Sequence, residues 1–129
     1  MNAKEKILII TDGTELIESI ARSVKDALSG TVKIISAEAF EGTDLLPANT
    51  FFMGCEKPNP SSFNYLEEML KHINFAGRHC GIFSASKNAL KYLSGILKDS
   101  EVTVGEPLLI TEADAAAVKK WIKQLEINS

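Results

Sequence analysis

The stretch Lys6-Ile7-Leu8-Ile9-Ile10-Thr11-Asp12-Gly13-Thr14-Glu15 decides how the rest of the chain is read. Residues 6–11 form an unbroken apolar and β-branched run, without the alternation expected of a strand that has one wet face. Such a run predicts a central strand covered on both sides. A helix is expected to follow at once. Leu16, Ile17, Ile20, Ala21, Val24 and Leu28 recur at spacings that gather on one helical face, while Glu15, Glu18, Arg22, Lys25 and Asp26 fall mostly outside it. Ser29-Gly30 is expected to end that helix, with Gly30 in the left-handed cap conformation. Asp12, with Glu15 at the capping-box spacing, reads as the helix N-cap.

Outward from this unit, Val32–Ser36 and Thr50–Gly54 read as the second and third strands. Between them, Ala37–Asn49 has room for one short helical turn around Thr43–Leu46. After the Pro-rich loop Cys55–Pro60, Leu66, Met69, Leu70 and Ile73 mark a second amphipathic helix, with Phe63 and Tyr65 at its start in packing or partly buried roles. Cys80–Phe83 is the fourth strand. Ala89, Leu90, Leu93, Ile96 and Leu97 mark a third helix, for which Ser86 is a cap candidate. Glu101–Ile110 is a last strand interrupted at Gly105-Glu106-Pro107, and Thr111 with Asp114 opens the final helix in an acidic variant of the capping box. Ala117, Val118, Trp121, Ile122 and Leu125 form its buried stripe.

Five strands alternating with helices predict a three-layer α/β/α sandwich on a five-stranded parallel sheet, because right-handed parallel crossovers need covering helices. Ligands of such sheets bind in the crevice beyond the carboxyl ends of the strands. Here those ends are Thr11–Thr14, Gly54–Pro60 and Ser84–Lys87.

The 129 residues, 45% hydrophobic and 24% charged, fit one globular domain spanning residues 1–129 that can bury a core without a disulfide or metal staple. Fourteen Lys and Arg against seventeen Asp and Glu give a net charge of -3, which argues against a nucleic-acid or membrane-surface footprint. The apolar run Ile7–Ile10 is too short for a signal-peptide core or a membrane span, so a soluble cytoplasmic protein is expected. Cys55 and Cys80 form no C-x-x-C pattern, and His72 and His79 add no ligand cluster, so no metal site is expected. Cys80, Trp121 and Phe51-Phe52-Met53 read as core.

In their order and spacing these residues resemble the flavodoxin family from Lys6 to Leu125. The resemblance rests on Thr14-Glu15 leading the first helix and on Gly54-Cys55 ending the third strand. It rests also on Phe75-Ala76-Gly77-Arg78 before the fourth strand, on Phe83 closing that strand, and on Val104-Gly105-Glu106-Pro107-Leu108. It implies the flavodoxin-like strand order 2-1-3-4-5. It also implies a non-covalently bound FMN, with its phosphate on Thr11, Asp12, Gly13 and Thr14 and its ring between two later loops. Those loops hold Gly54, Cys55, Glu56 and Lys57, and Ser84, Ala85 and Ser86. A protein so equipped carries electrons between redox partner proteins and is neither a hydrolase nor a transferase.

The chain departs from that pattern at the loops. Its first loop is shorter than the family's run of Ser, Thr, Gly and Asn, and a carboxylate at Asp12 would repel a phosphate dianion and compete for the helix-end N–H groups. The second loop lacks the Trp or Tyr that family members place against the flavin. Cys55 is read as a packing residue, since a reactive thiol needs an activator and no His is near in sequence. Receiver domains share the strand order, but Gly54-Cys55 stands where they need a phosphoacceptor Asp. A Cys-based phosphatase needs its Cys after the first strand, and G-x-G-x-x-G is absent. Two functions therefore stand open: an FMN electron carrier, and a flavodoxin-like domain that has lost FMN and acts as a binding or regulatory module.

Overall fold

The computed structural model describes residues 6–28, 31–45 and 47–127. Strands β1 (Lys6–Thr11), β2 (Thr31–Ser36), β3 (Thr50–Gly54), β4 (His79–Ser84) and β5 (Thr103–Val104) form one parallel sheet in the order β2-β1-β3-β4-β5. A further strand, β6 (Leu108–Leu109), pairs with β4. Helices α1 (Glu15–Ala27), α2 (Gly42–Leu45), α3 (Asn64–Leu70), α4 (Lys87–Leu97) and α5 (Ala115–Ile127) make the connections and cover the sheet. This is the expected three-layer α/β/α architecture with the expected strand order.

The apolar run at 7–11 is buried along its whole length, as a strand between two neighbours and two helical layers must be. β2, at the sheet edge, alternates instead: Thr31 and Lys33 are exposed, and Lys33 pairs with Asp44 of α2 at 3.0 Å. A charge at that position guards an open strand edge. One face of the sheet packs Ile7, Ile9, Phe52 and Phe83 against Ile17, Ile20 and Val24 of α1 and Val118, Trp121 and Ile122 of α5. The other packs Leu8, Ile10, Phe51, Met53 and Ile82 against Leu66 and Leu70 of α3 and Ala89, Leu93 and Leu97 of α4.

The last strand is split as the Gly105-Glu106-Pro107 signal foretold, and its second piece keeps register with β4: Phe83 pairs with Leu108 and Ser84 with Leu109. The break is pinned from the helix side. The indole N–H of Trp121 donates to the Glu106 carbonyl at 2.6 Å, while its ring packs edge-on against Phe52 and near Phe83, at centroid distances of 5.6 and 6.3 Å. The indole thereby buries its apolar body and satisfies its polar end in one placement.

Three expectations about helix ends are corrected. Asp114, not Thr111, caps α5, its carboxylate accepting the N–H groups of Ala116 and Ala117 at 3.0 and 3.3 Å. Helix α3 stops at Leu70, so Ile73 lies beyond it although its spacing continues the apolar stripe; the run into α3 is a short 3-10 turn, Ser61–Phe63. Asp12 does not cap α1: Thr14 occupies the cap position and makes no side-chain cap bond. The Ser29-Gly30 helix end and Leu46 fall outside the described residues. Ser86 caps α4 as expected, accepting from the Ala89 N–H at 3.3 Å.

Space around two glycines gives an opposed pair of outcomes. A Cβ on Gly81 would stand 2.7 Å from the Phe52 ring and 3.1 Å from Trp121, whereas one on Gly95, in α4, meets nothing within 4 Å. Gly81→Ala is expected to destabilise by about 1–3 kcal/mol through overpacking. Gly95→Ala is expected to stabilise by about 0.5–1 kcal/mol through helix propensity. Urea unfolding of both variants checks the signs.

Candidate ligand-binding rim

The carboxyl ends of β1, β3 and β4 lie side by side, with Thr11 in register with Gly54 and Gly54 with Phe83. This register brings the three expected loops to one edge of the sheet. Gly54 is the close-approach point, since a Cβ there would fall 2.4 Å from the Phe83 ring. Thr11, Gly54, Cys55 and Ser84 are buried. Asp12, Thr14, Glu56, Ala85 and Ser86 are half-buried, and Gly13 and Lys57 are exposed.

Asp12 organises the first loop by a route that its N-cap reading misses. Its Oδ1 accepts the Thr14 N–H at 3.0 Å and the Thr14 hydroxyl at 2.7 Å, an Asx turn, and Gly13 takes the positive φ of 84° that lets the chain double back. Its Oδ2 accepts the Glu56 N–H at 2.7 Å, so one carboxylate ties the loop after β1 to the loop after β3. Thr11 closes the same corner. Its Oγ1 accepts the Gly13 N–H at 3.2 Å, and its hydroxyl donates to Glu18 on the first turn of α1.

A second tie joins the remaining pair of loops. The buried Ser84 hydroxyl donates to the Cys55 carbonyl at 2.7 Å and accepts the Ser86 N–H at 3.1 Å. Three loops are therefore laced in sequence, through Asp12 to Glu56 and through Ser84 to Cys55. Asp-Gly is a legible turn signal, but the Glu56 partner is 44 positions away in sequence and leaves no local trace.

Cys55 sits inside this lacing as a packed thiol. Burial, and then the Asp12 carboxylate, push its pKa up to about 12, and burial raises that of Cys80 as well, so both stay protonated at neutral pH. That is the opposite of what a nucleophilic or redox thiol requires. Below the second loop, Tyr92 of α4 donates to Glu67 of α3 and packs against Phe63 at a centroid distance of 6.2 Å. Burial and the Glu67 bond raise the phenol's pKa far above the usual range, so it stays protonated as the donor that links the two helices.

The FMN phosphate does not fit the first loop in this arrangement. The Thr14 N–H and hydroxyl and the Glu56 N–H already bind a carboxylate, and the first turn of α1 adds Glu15 and Glu18. A unit charge 4 Å from another repels it by about 4 kcal/mol at an effective dielectric near 20, against a helix-end attraction of about 0.3–1 kcal/mol. The repulsion wins. Residues 55–60 and 84–87 include no aromatic side chain to stack on a flavin ring. Among the described residues no three His, Cys, Asp or Glu side chains gather as a metal site, and no helix is long and apolar enough to cross a membrane.

Sheet order, covering helices and the position of the laced rim define a flavodoxin-like fold. Solved structures of that fold overlay nearly the whole chain. A short-chain flavodoxin associated with a non-canonical PDU bacterial microcompartment matches with a TM-score of 0.82 and 14% identity, over 98% of this chain and 99% of that one. Oxidised flavodoxin 2 from Bacillus cereus matches with a TM-score of 0.82 and 21% identity, over 96% and 99%. The Fusobacterium nucleatum flavodoxin bound to flavin mononucleotide matches with a TM-score of 0.70 and 11% identity, over 96% and 98%. No family model matches the sequence, and neither does any curated protein.

Two measurements follow from the lacing. Asp12→Ala leaves the Glu56 and Thr14 donors without their acceptor and is expected to lower stability by about 1–3 kcal/mol in denaturant unfolding; a change within error would mean that the bridge carries no stability. With both thiols buried and protonated, the native protein at pH 8 is expected to leave an aromatic disulfide reagent unreacted until denaturant is added. Prompt reaction of one thiol in the folded state would contradict the packing role of Cys55.

Proposed function

We propose that this chain is a flavodoxin-fold binding module that works through its strand-end rim without carrying FMN. The observation behind this reading is the Asp12 carboxylate, which engages three donors on two loops and puts a fixed negative charge where the family resemblance would put a phosphate. A protein that uses FMN needs those donors turned toward the cofactor. Here they hold the protein's own side chain. The exposed part of the rim, Gly13, Lys57 and the loop that carries Lys57, is then a recognition surface. The two free, buried thiols accord with a cytoplasmic setting.

A second reading is favoured by the overlay with an FMN-bound flavodoxin. Under it the protein is an electron carrier to redox partner proteins. Asp12 turns outward, Thr11, Gly13 and Thr14 take the phosphate, and the ring lies between two segments. One comprises Gly54, Cys55, Glu56 and Lys57, the other Ser84, Ala85 and Ser86. The two readings part in a single titration. FMN fluorescence is expected to stay unquenched as the protein is raised to about 50 μM, where a weak site worth about 6 kcal/mol would be half filled. Saturable quenching, with a yellow protein recovered after gel filtration, would overturn the first reading and establish the second.

A further inference from the structure

We propose that a separate cavity beside the rim binds a small organic cation, an ammonium group carried on an aromatic or apolar body. The cavity is an open groove of about 550 Å³ between the segment after β2 and the start of α3. That volume suits a small ligand. Neither the binding-module reading nor the flavin reading uses these residues, and the inference stands apart from both.

Phe40 and Tyr65 form the apolar wall, their rings tilted at 55° with centroids 6.1 Å apart. Phe40 is buried, but Tyr65 leaves 53% of its surface in solvent. An exposed ring held against a buried one presents a face without having to be ordered first. Glu38 and Glu41 also line the cavity, and Ser61, Ser62 and Asn64 add neutral polar groups.

Charge then decides the class of ligand. Among the described residues no Lys, Arg or His lines the cavity, and neither the Glu38 nor the Glu41 carboxylate has an ion pair or hydrogen bond. Lys33 is drawn instead to Asp44. The opposing feature is the start of the short helical run at Ser61, whose end carries at most about half a positive charge. Two full carboxylates outweigh it, and a cation is favoured twice over, by the carboxylates and by the exposed Tyr65 ring.

The test is an amide chemical-shift titration of the full chain with three probes of one shape: protonated 2-phenylethylamine, neutral 2-phenylethanol and anionic 3-phenylpropanoate. The amine is expected to give saturable shifts confined to residues 37–42 and 61–65. The alcohol should bind about tenfold more weakly, the propanoate should give no saturation, and the amine's affinity should fall as NaCl rises. Tyr65→Ala and the double variant Glu38→Gln, Glu41→Gln should each lose about tenfold in amine affinity, and the double variant, which replaces exposed side chains, should keep the wild-type unfolding midpoint. The proposal is overturned if the amine produces no saturable shift there, if the alcohol or the propanoate binds as tightly as the amine, or if the double Gln variant binds the amine unchanged.

Discussion

Everything at the strand-end rim depends on β1 being buried from both sides. Ile7 to Thr11 have no wet face, so the strand takes the middle of the sheet, between β2 and β3, with α1 and α5 on one side and α3 and α4 on the other. A strand in that place delivers its carboxyl end to the point where the strand order reverses, next to the end of β3. Asp12 is the first residue past the buried run. Its position is therefore fixed by hydrophobic burial before its own chemistry enters, and its carboxylate meets the Glu56 N–H because the parallel register brings Thr11 opposite Gly54.

On the binding-module proposal, this is how a common fold would come to carry an altered site. Packing on the two faces is insensitive to what stands at residues 12–14, since those residues lie outside both buried clusters. The loops can exchange a ligand anion for a protein carboxylate while the sheet stays the same. The overlay with flavodoxins, close in shape at 21% identity or less, fits this separation of scaffold from site.

What could be read in the sequence follows the same division. Strand and helix faces were legible because burial imposes a period: Ile17, Ile20, Ala21 and Val24 are buried where spacing puts them, and so are Ala89, Leu93 and Leu97. The split in the last strand was legible because Pro107 and Gly105 break a ladder. Helix ends were less so, since Ile73 continues an apolar spacing beyond the end of α3, and Thr111 resembles a cap although Asp114 does the capping. The placement of the three loops at one sheet edge was legible from the strand ends, yet the bonds that lace them were not. Asp12 to Glu56 and Ser84 to Cys55 are set by register between strands, which no local pattern encodes.

Whether the Asp12 carboxylate holds the Glu56 amide in solution decides whether the first loop is closed by the protein's own side chain. The direct measurement is scalar coupling across that hydrogen bond, between the Glu56 amide nitrogen and the Asp12 carboxylate carbon, recorded with and without FMN. A resolved coupling that persists unchanged in excess FMN is the predicted result. Absence of the coupling in the free protein, or its loss on saturation with FMN, would contradict the claim that this loop is closed by its own carboxylate.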